Sequence, residues 1–256
     1  MKPFKASLRW VIFSTAPIFS YGMNVDIEDG ELRKDLFIYM ETVSVESEIL
    51  AQVYAQVQRR FAGFDDLAHG WEHVKRVYTL AMSIAEQEGA NRFIAGMAAL
   101  LHDLGRLSQN TTLHHADVST RLAAELLVPY QLAPETQEAI LHAIMAHSFS
   151  RGLEPYTLEA GIVRDADRLD SLGAIGILRW AITGTMRRRP GTQAYHPDDP
   201  FAEQHSPDDS AYMLDHFFTK LLKLPDGMVT KTGRKMAERR VAFMREYLDE
   251  LREELG

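Results

Sequence analysis

The chain has no cysteine among its 256 residues, which excludes disulfide staples, thiolate zinc sites, iron–sulfur clusters and a cysteine nucleophile. Any resident metal must be held by imidazole and oxygen. Long hydrophobic runs are also missing. The most apolar stretch, Trp10-Val11-Ile12-Phe13 and its continuation over residues 14–20, contains Pro17 and falls short of the roughly 20 apolar residues that a membrane-spanning helix needs. Positive charge is in deficit: 28 Lys+Arg stand against 36 Asp+Glu, a formal charge of −8. That removes the basic footprint by which proteins grip a nucleic-acid backbone, so no nucleic-acid polymer is expected as a partner. A small phosphorylated substrate stays open, because a metal and a few local arginines set the field inside a cleft whatever the net charge. Internal repeats, low-complexity tracts and sustained strand alternation are absent as well.

With 46% hydrophobic and 25% charged residues, the composition is that of a globular protein long enough to bury one sizeable core. Lys2, Lys5 and Arg9 precede the apolar stretch and imitate a weak targeting signal, but no small-x-small cleavage site follows. Residues 1–39 are expected to form an extension of uncertain order or a targeting segment, and residues 40–256 the functional domain. Met23 and Met40 are alternative starts. A cytoplasmic location is expected, and a homo-oligomer is compatible with the sequence.

After Met40 the pattern is helical. Trp71, Val74, Val77, Tyr78, Ala81 and Ile84 recur at three- and four-residue spacing, one apolar face of a helix over 70–88. Further helices are predicted over 91–102, stopped by Gly105; 117–127, closed by Pro129; 134–147, opened by proline; 158–183, broken near Gly173; 212–224; and 231–254. Residues 187–209, with Pro190, Pro197, Pro200 and Pro207, read as a long loop, either a lid over a site or a surface excursion. The fold expected is all-α.

His73, the adjacent pair His102-Asp103 and the carboxylates of DADRLD at 165–170 are hard or borderline ligands suited to a divalent cation. His73 and His102 lie 29 residues apart, and Asp167 follows Asp103 by 64, so they sit on at least three helices and only tertiary packing can unite them. Singly, each has an ordinary structural explanation, such as a hydrogen-bonded core histidine or an aspartate paired with Arg164 or Arg168. Together that explanation weakens. A buried His-Asp pair is costly to desolvate, and a cation satisfies both groups at once.

The segments HGWEHVKRV (69–77), HDLGR (102–106), AIMAHSFS (143–150) and DADRLDSLGAIGI (165–177), followed by DHFFTKLLKL (215–224), occur in this order. In this the chain resembles the HD-domain metal-dependent phosphohydrolases, over about 46–253, and looks closest to the bacterial subgroup that includes deoxynucleoside triphosphate pyrophosphohydrolases. The resemblance implies a single-domain helical bundle around one metal, with His73, His102, Asp103 and Asp167 as ligands. Residues two apart on a helix point about 200° apart, so only one of Asp165 and Asp167 faces the metal, and the family pattern selects Asp167. Two imidazoles and two carboxylates suit Mn²⁺, Fe²⁺, Co²⁺, Ni²⁺ or Mg²⁺. Mn²⁺ is favoured because nitrogen-rich sites disfavour Mg²⁺.

Some relatives carry an acidic residue at the third or fourth position after the HD aspartate, where this chain has Arg106 and Leu107. Attention therefore moves to Asp103, Arg106 and His147 as the catalytic set. Arg106 is expected as a phosphate clamp, with interaction at the helix C-terminus the alternative. His69, one turn before His73, is assigned to contact with the substrate phosphate or to support of the metal ligands, with service as a substitute ligand the alternative, and Lys220 and Lys223 to the polyphosphate. The cluster Arg187-Arg188-Arg189 is a further candidate for nucleotide phosphate. His142 and His147 stand about 140° apart on a helical wheel and cannot readily share an ion, so one cation is expected. His114 and His115 fall in a polar connection and carry little weight. The leading function is hydrolysis of a (deoxy)nucleoside triphosphate to monophosphate and pyrophosphate. Alternatives are a nucleotide monophosphatase or cyclic phosphodiesterase, and a catalytically silent metal-stabilised nucleotide-binding domain.

Overall fold

Apolar residues at helical spacing dictate the elements and, through them, where the polar residues at their ends must go. The computed structural model describes residues 9–12, 21–24, 30–108 and 112–256, with side chains from 45 onward apart from 109–111 and 149. The chain divides into two compact units, Met1–Glu48 and Ile49–Gly256. In the first, β1 (Arg9–Ile12) and β2 (Tyr21–Asn24) pair antiparallel, with Trp10 opposite Met23 and Val11 opposite Gly22. Trp10, Val11 and Ile12 of the apolar stretch lie in β1, while Lys2, Lys5 and residues 13–20 lie outside the described residues. Helix α1 (Gly30–Phe61) follows.

The second unit is all-α among its described residues. Its helices are α2 (Trp71–Glu88), α3 (Arg92–Leu101), α4 (His115–Leu127), α5 (Pro134–Ala146), α6 (Leu158–Leu169), α7 (Gly173–Arg187), α8 (His216–Thr219) and α9 (Lys231–Leu255). Helix α3, RFIAGMAALL, is buried along nearly its whole length and packs against α2, α5 and α6. An apolar helix with no polar face has to be central. Around it α2 buries Val74, Val77, Ala81 and Ile84, each large side chain contributing about 1.5–3 kcal/mol. Helix α9 packs on α6, α7 and α2 through Ala237, Val241, Met244 and Leu248.

Local chemistry sets the helix ends. Gly89 (φ 68°) closes α2, and the side chains of Asn91, Thr157 and Thr230 accept first-turn N–H bonds at the starts of α3, α6 and α9. The helix predicted over 158–183 breaks near Gly173 as expected, into α6 and α7, and Gly173 (φ 73°) takes a left-handed conformation at the break. One element differs from the predicted pattern. The helix expected over 212–224 is instead the short α8 between two 3₁₀ segments, Met213–Asp215 and Leu221–Gly227. Pro225 lies inside the second segment. No helix is long and apolar enough to cross a membrane among the described residues.

Candidate metal and phosphate site

Four side chains from three helices meet at the C-terminal end of α3. His73 lies on the first turn of α2, and His102 and Asp103 follow α3 directly. Asp167 lies on α6. His73 Nδ1 donates to Asp170 Oδ2 at 2.7 Å, and His102 Nδ1 donates to the Ala99 carbonyl at 2.7 Å. Both Nε2 atoms then carry lone pairs in the neutral ring, yet they face each other at 3.3 Å. Asp103 Oδ2 lies 3.6 Å from each of them, and Asp167 Oδ1 lies 3.4 Å from His73 Nε2. Lone pairs and carboxylates pointing at one spot repel unless something positive stands among them. Asp103 Oδ1 is buried without a hydrogen-bond partner, a costly arrangement that a cation would relieve.

Electrostatics follow from this packing. Burial opposes charge on His73, but the hydrogen bonds to Asp103 and Asp170 outweigh it and raise its pKa. Burial dominates at His102 and lowers its pKa to about 4, against the pull of Asp103. At Asp103 burial alone would raise the pKa, yet His102, Arg106 and His73 hold it well below the usual carboxylate range. The pair therefore presents an ionised carboxylate beside a neutral imidazole, the forms that bind metals.

The structure turns Asp165 away. Its carboxylate accepts bonds from Val229 N, Thr230 N and Thr230 Oγ1, tying the start of α9 to α6, while Asp167 faces His73. Arg106 lies in a 3₁₀ turn, Leu104–Leu107, so the helix does not persist to it. Its Nε donates to Asp103 Oδ2 at 2.6 Å, and its side chain also lines the adjoining cavity. His69 lines the same cavity and is held by Asp66 at 2.9 Å, with burial lowering its pKa to about 4.

On the far side of Asp103 stand two imidazoles from different helices. His147 Nδ1 donates to the Ile144 carbonyl at 2.5 Å, and its Nε2 faces His115 Nε2 at 3.3 Å. These atoms lie 3.9 and 3.7 Å from Asp103 Oδ1. Asp103, His115 and His147 thus form a second set of metal-capable geometry sharing a carboxylate with His73 and His102. Sequence reasoning passed over His115. The usable signal was Gly105. A Cβ there would collide with the His115 carbonyl and Ser119 N, and the Gly105 N–H donates to Ser119 Oγ at 2.8 Å. Only glycine lets α4 ride that close to the turn after Asp103. His142 takes no part; its Nε2 accepts the Tyr156 N–H, and its ring stacks on Tyr156. His114 caps α4.

A cavity of about 430 Å³ opens beside the cluster, lined by His69, Arg106, His115, His147 and Asp167 on one side and by Arg179, Trp180, Arg187, His216 and Lys220 elsewhere. Lys223 is exposed and does not line it. Lys220 sits at the irregular junction (φ −136°, ψ −61°) between α8 and the 3₁₀ segment that carries Lys223. Arg188 and Arg189 line a smaller neighbouring pocket of about 270 Å³, which shares Arg187 and His216. Asp170 was also missed. It accepts from His73 and from Arg76 at 2.7 Å and lies 3.1 Å from Arg179, so it orients the ring that faces Asp103.

Residues 70–172 match the HD domain. The uncharacterised protein YpgQ of Bacillus subtilis is 36% identical over 191 residues, 73% of this chain and 84% of that protein. Its crystal structure in complex with ADP superposes with a TM-score of 0.63 at 32% identity, over 82% of this chain and 96% of YpgQ. An HD-superfamily hydrolase from Bacillus thuringiensis gives a TM-score of 0.64 at 32% identity, over 82% and 97% of the respective chains. Ribonuclease Y of Thermoanaerobacter pseudethanolicus is 32% identical over 117 residues, 46% of this chain but 21% of that enzyme.

Proposed function

Because the chain belongs to the HD-domain family and is a metal-dependent phosphohydrolase of that superfamily, we propose that it acts on a nucleotide, cleaving a deoxynucleoside triphosphate to monophosphate and pyrophosphate. One juxtaposition carries this reading. The His/Asp cluster forms one wall of a cavity of nucleotide-accommodating size, about 430 Å³, whose other walls and rim carry Arg106, Arg179, Arg187 and Lys220. The ADP complex of YpgQ adds support for a nucleotide ligand.

The residues fit a divalent cation: His73, His102, Asp103 and Asp167 would hold it, with Mn²⁺ favoured by the nitrogen content. When bound, it would neutralise phosphate charge and acidify a water molecule. The chain supplies the rest. Arg106 holds Asp103 ionised and offers its remaining N–H groups to a phosphate oxygen, as a planar guanidinium does well. His147, its Nδ1–H committed to Ile144, turns Nε2 toward His115 and the cavity, where it accepts a proton at the phosphate side. Lys220 and Arg187 at the rim compensate the distal phosphates, the role first divided between Lys220 and Lys223. His69, fixed by Asp66, contacts the substrate edge.

The second set, Asp103, His115 and His147, favours an alternative with two cations sharing Asp103. Metal analysis of saturated protein separates one ion per chain from two. The decisive assay supplies metal-loaded protein with a nucleotide panel and identifies the phosphate products. Pyrophosphate plus deoxynucleoside monophosphate is expected. Orthophosphate plus nucleoside would replace this reading with a monophosphatase, and opening of a cyclic nucleotide alone with a phosphodiesterase. Binding without turnover would make the chain a silent binding domain.

A further inference from the structure

Asp170 separates the catalytic cavity from a second, larger cleft. That cleft, about 820 Å³, lies between α2, the start of α7 and α9. Arg179 of the catalytic cavity reaches Asp170 at 3.1 Å. From the cleft side Arg76 donates to the same carboxylate with Nε at 2.7 Å and Nη2 at 3.0 Å. Arg240, also lining the cleft, is held over it by donation to the Leu169 carbonyl. One buried carboxylate therefore faces more cationic charge than it balances.

The remaining lining leaves that excess in place. Lys75 and Glu72 pair loosely at 3.8 Å and cancel. Arg239 is exposed and forms no ion pair among the described residues, and over the whole lining four cations, Lys75, Arg76, Arg239 and Arg240, stand against three carboxylates, Glu72, Asp170 and Glu246. Apart from Thr79 the remaining walls are apolar. Phe243 and Ile175 are 46% and 38% exposed and line the same cleft. A volume of this size with apolar walls and a few convergent cations is that of a small-molecule site.

We propose that this cleft binds a small amphipathic anion, its phosphate, sulfonate or carboxylate held by Arg76, Arg239 and Arg240 and its flat apolar body laid on Phe243 and Ile175. Occupancy communicates with the catalytic side through Asp170. An anion that draws Arg76 toward itself loosens the hold on the carboxylate that orients His73, and a coupling of this kind is reciprocal. The coupling, though not the binding, rests on the reading of His73 as a metal ligand.

The probe is 1-anilinonaphthalene-8-sulfonate, titrated by fluorescence into the full metal-loaded chain. One saturable site per chain is expected, weakened about tenfold or more by Phe243→Ala or Arg239→Ala and unchanged by Lys220→Ala, which alters the other cavity. The uncharged N-phenyl-1-naphthylamine should bind at least tenfold more weakly. Equal binding by wild type and both cleft variants, or equal binding of the uncharged probe, overturns the proposal. So does sedimentation as a dimer that Phe243→Ala converts to monomer, which would assign the face to a second copy. Saturating probe should also shift Mn²⁺ affinity severalfold in wild type and not in Phe243→Ala. Probe binding without that shift would overturn the coupling while sparing the site.

Discussion

Asp103 divides its two oxygens between two sets of partners. Oδ2 accepts Arg106 and faces His73 and His102, while Oδ1 faces His115 and His147 without a hydrogen bond. A buried carboxylate so placed is ionised because its neighbours outweigh desolvation. The ring of His73 is in turn aligned by Asp170, whose own pKa is depressed, burial notwithstanding, by hydrogen bonds from His73 and Arg76. Asp170→Asn keeps the shape and removes the charge that aligns this ring. Such outer partners are worth about 10–100-fold in metal affinity, so Mn²⁺ binding, measured by competition with a chromophoric chelator, should weaken by about that factor. Unchanged affinity would show that His73 needs no such support. His73, His102, Asp103 and Asp167 were legible because their motifs are ordered along the chain. Asp170 and His115 were not, since an aspartate three residues beyond Asp167 and a histidine in a polar connection have no pattern until packing gives them neighbours.

At the scale of elements, the approach of α4 to the turn after α3 is what brings His115 to Asp103. Gly105→Ala places a methyl group against α4 backbone, and relief requires that helix to retreat. A cost of about 1–3 kcal/mol is expected, read as a lowered urea midpoint, with hydrolysis falling further than stability explains. The segment between α7 and α8 is fastened by His205, which donates Nδ1 to Asp199 at 2.7 Å and Nε2 to the buried Asp215 at 2.9 Å. Two donated bonds require the imidazolium, and these two carboxylates raise its pKa above the ordinary 6.5. A raised folded value means the stabilisation is complete below 6.5 and is lost as pH rises through that higher value. Limited proteolysis should therefore cut within 188–212 faster at pH 9 than at pH 6 relative to a control peptide, and His205→Gln should remove the difference. The sequence marked this stretch as a loop by its prolines. Its fastening depends on Asp215, which the pattern had assigned to a helix start.

Across the whole molecule, the metal-capable cluster is set on a core that does not depend on it. Helix α3 is surrounded by α2, α5 and α6, and the core holds fully buried leucines, isoleucines and Phe217. Chelation should abolish hydrolysis and leave the helical circular dichroism in place. Losing an ion present at about 100 times its Kd removes about 2.7 kcal/mol, a fall in Tm of about 5–10 °C for a chain of this size. Collapse of the helical signal on chelation would instead make the metal part of the fold. The sequence alone determined the helical class and, through its ordered motifs, the resemblance to the HD family, because periodicity and motifs are properties of neighbouring residues. Only the tertiary structure decided that Asp103 is shared between two pairs of imidazoles, that Lys220 and not Lys223 reaches the cavity, and that Asp170 stands between two clefts. These depend on approaches between helices far apart in the chain, and such approaches are settled by which side chains, or which missing Cβ, allow two backbones to come close.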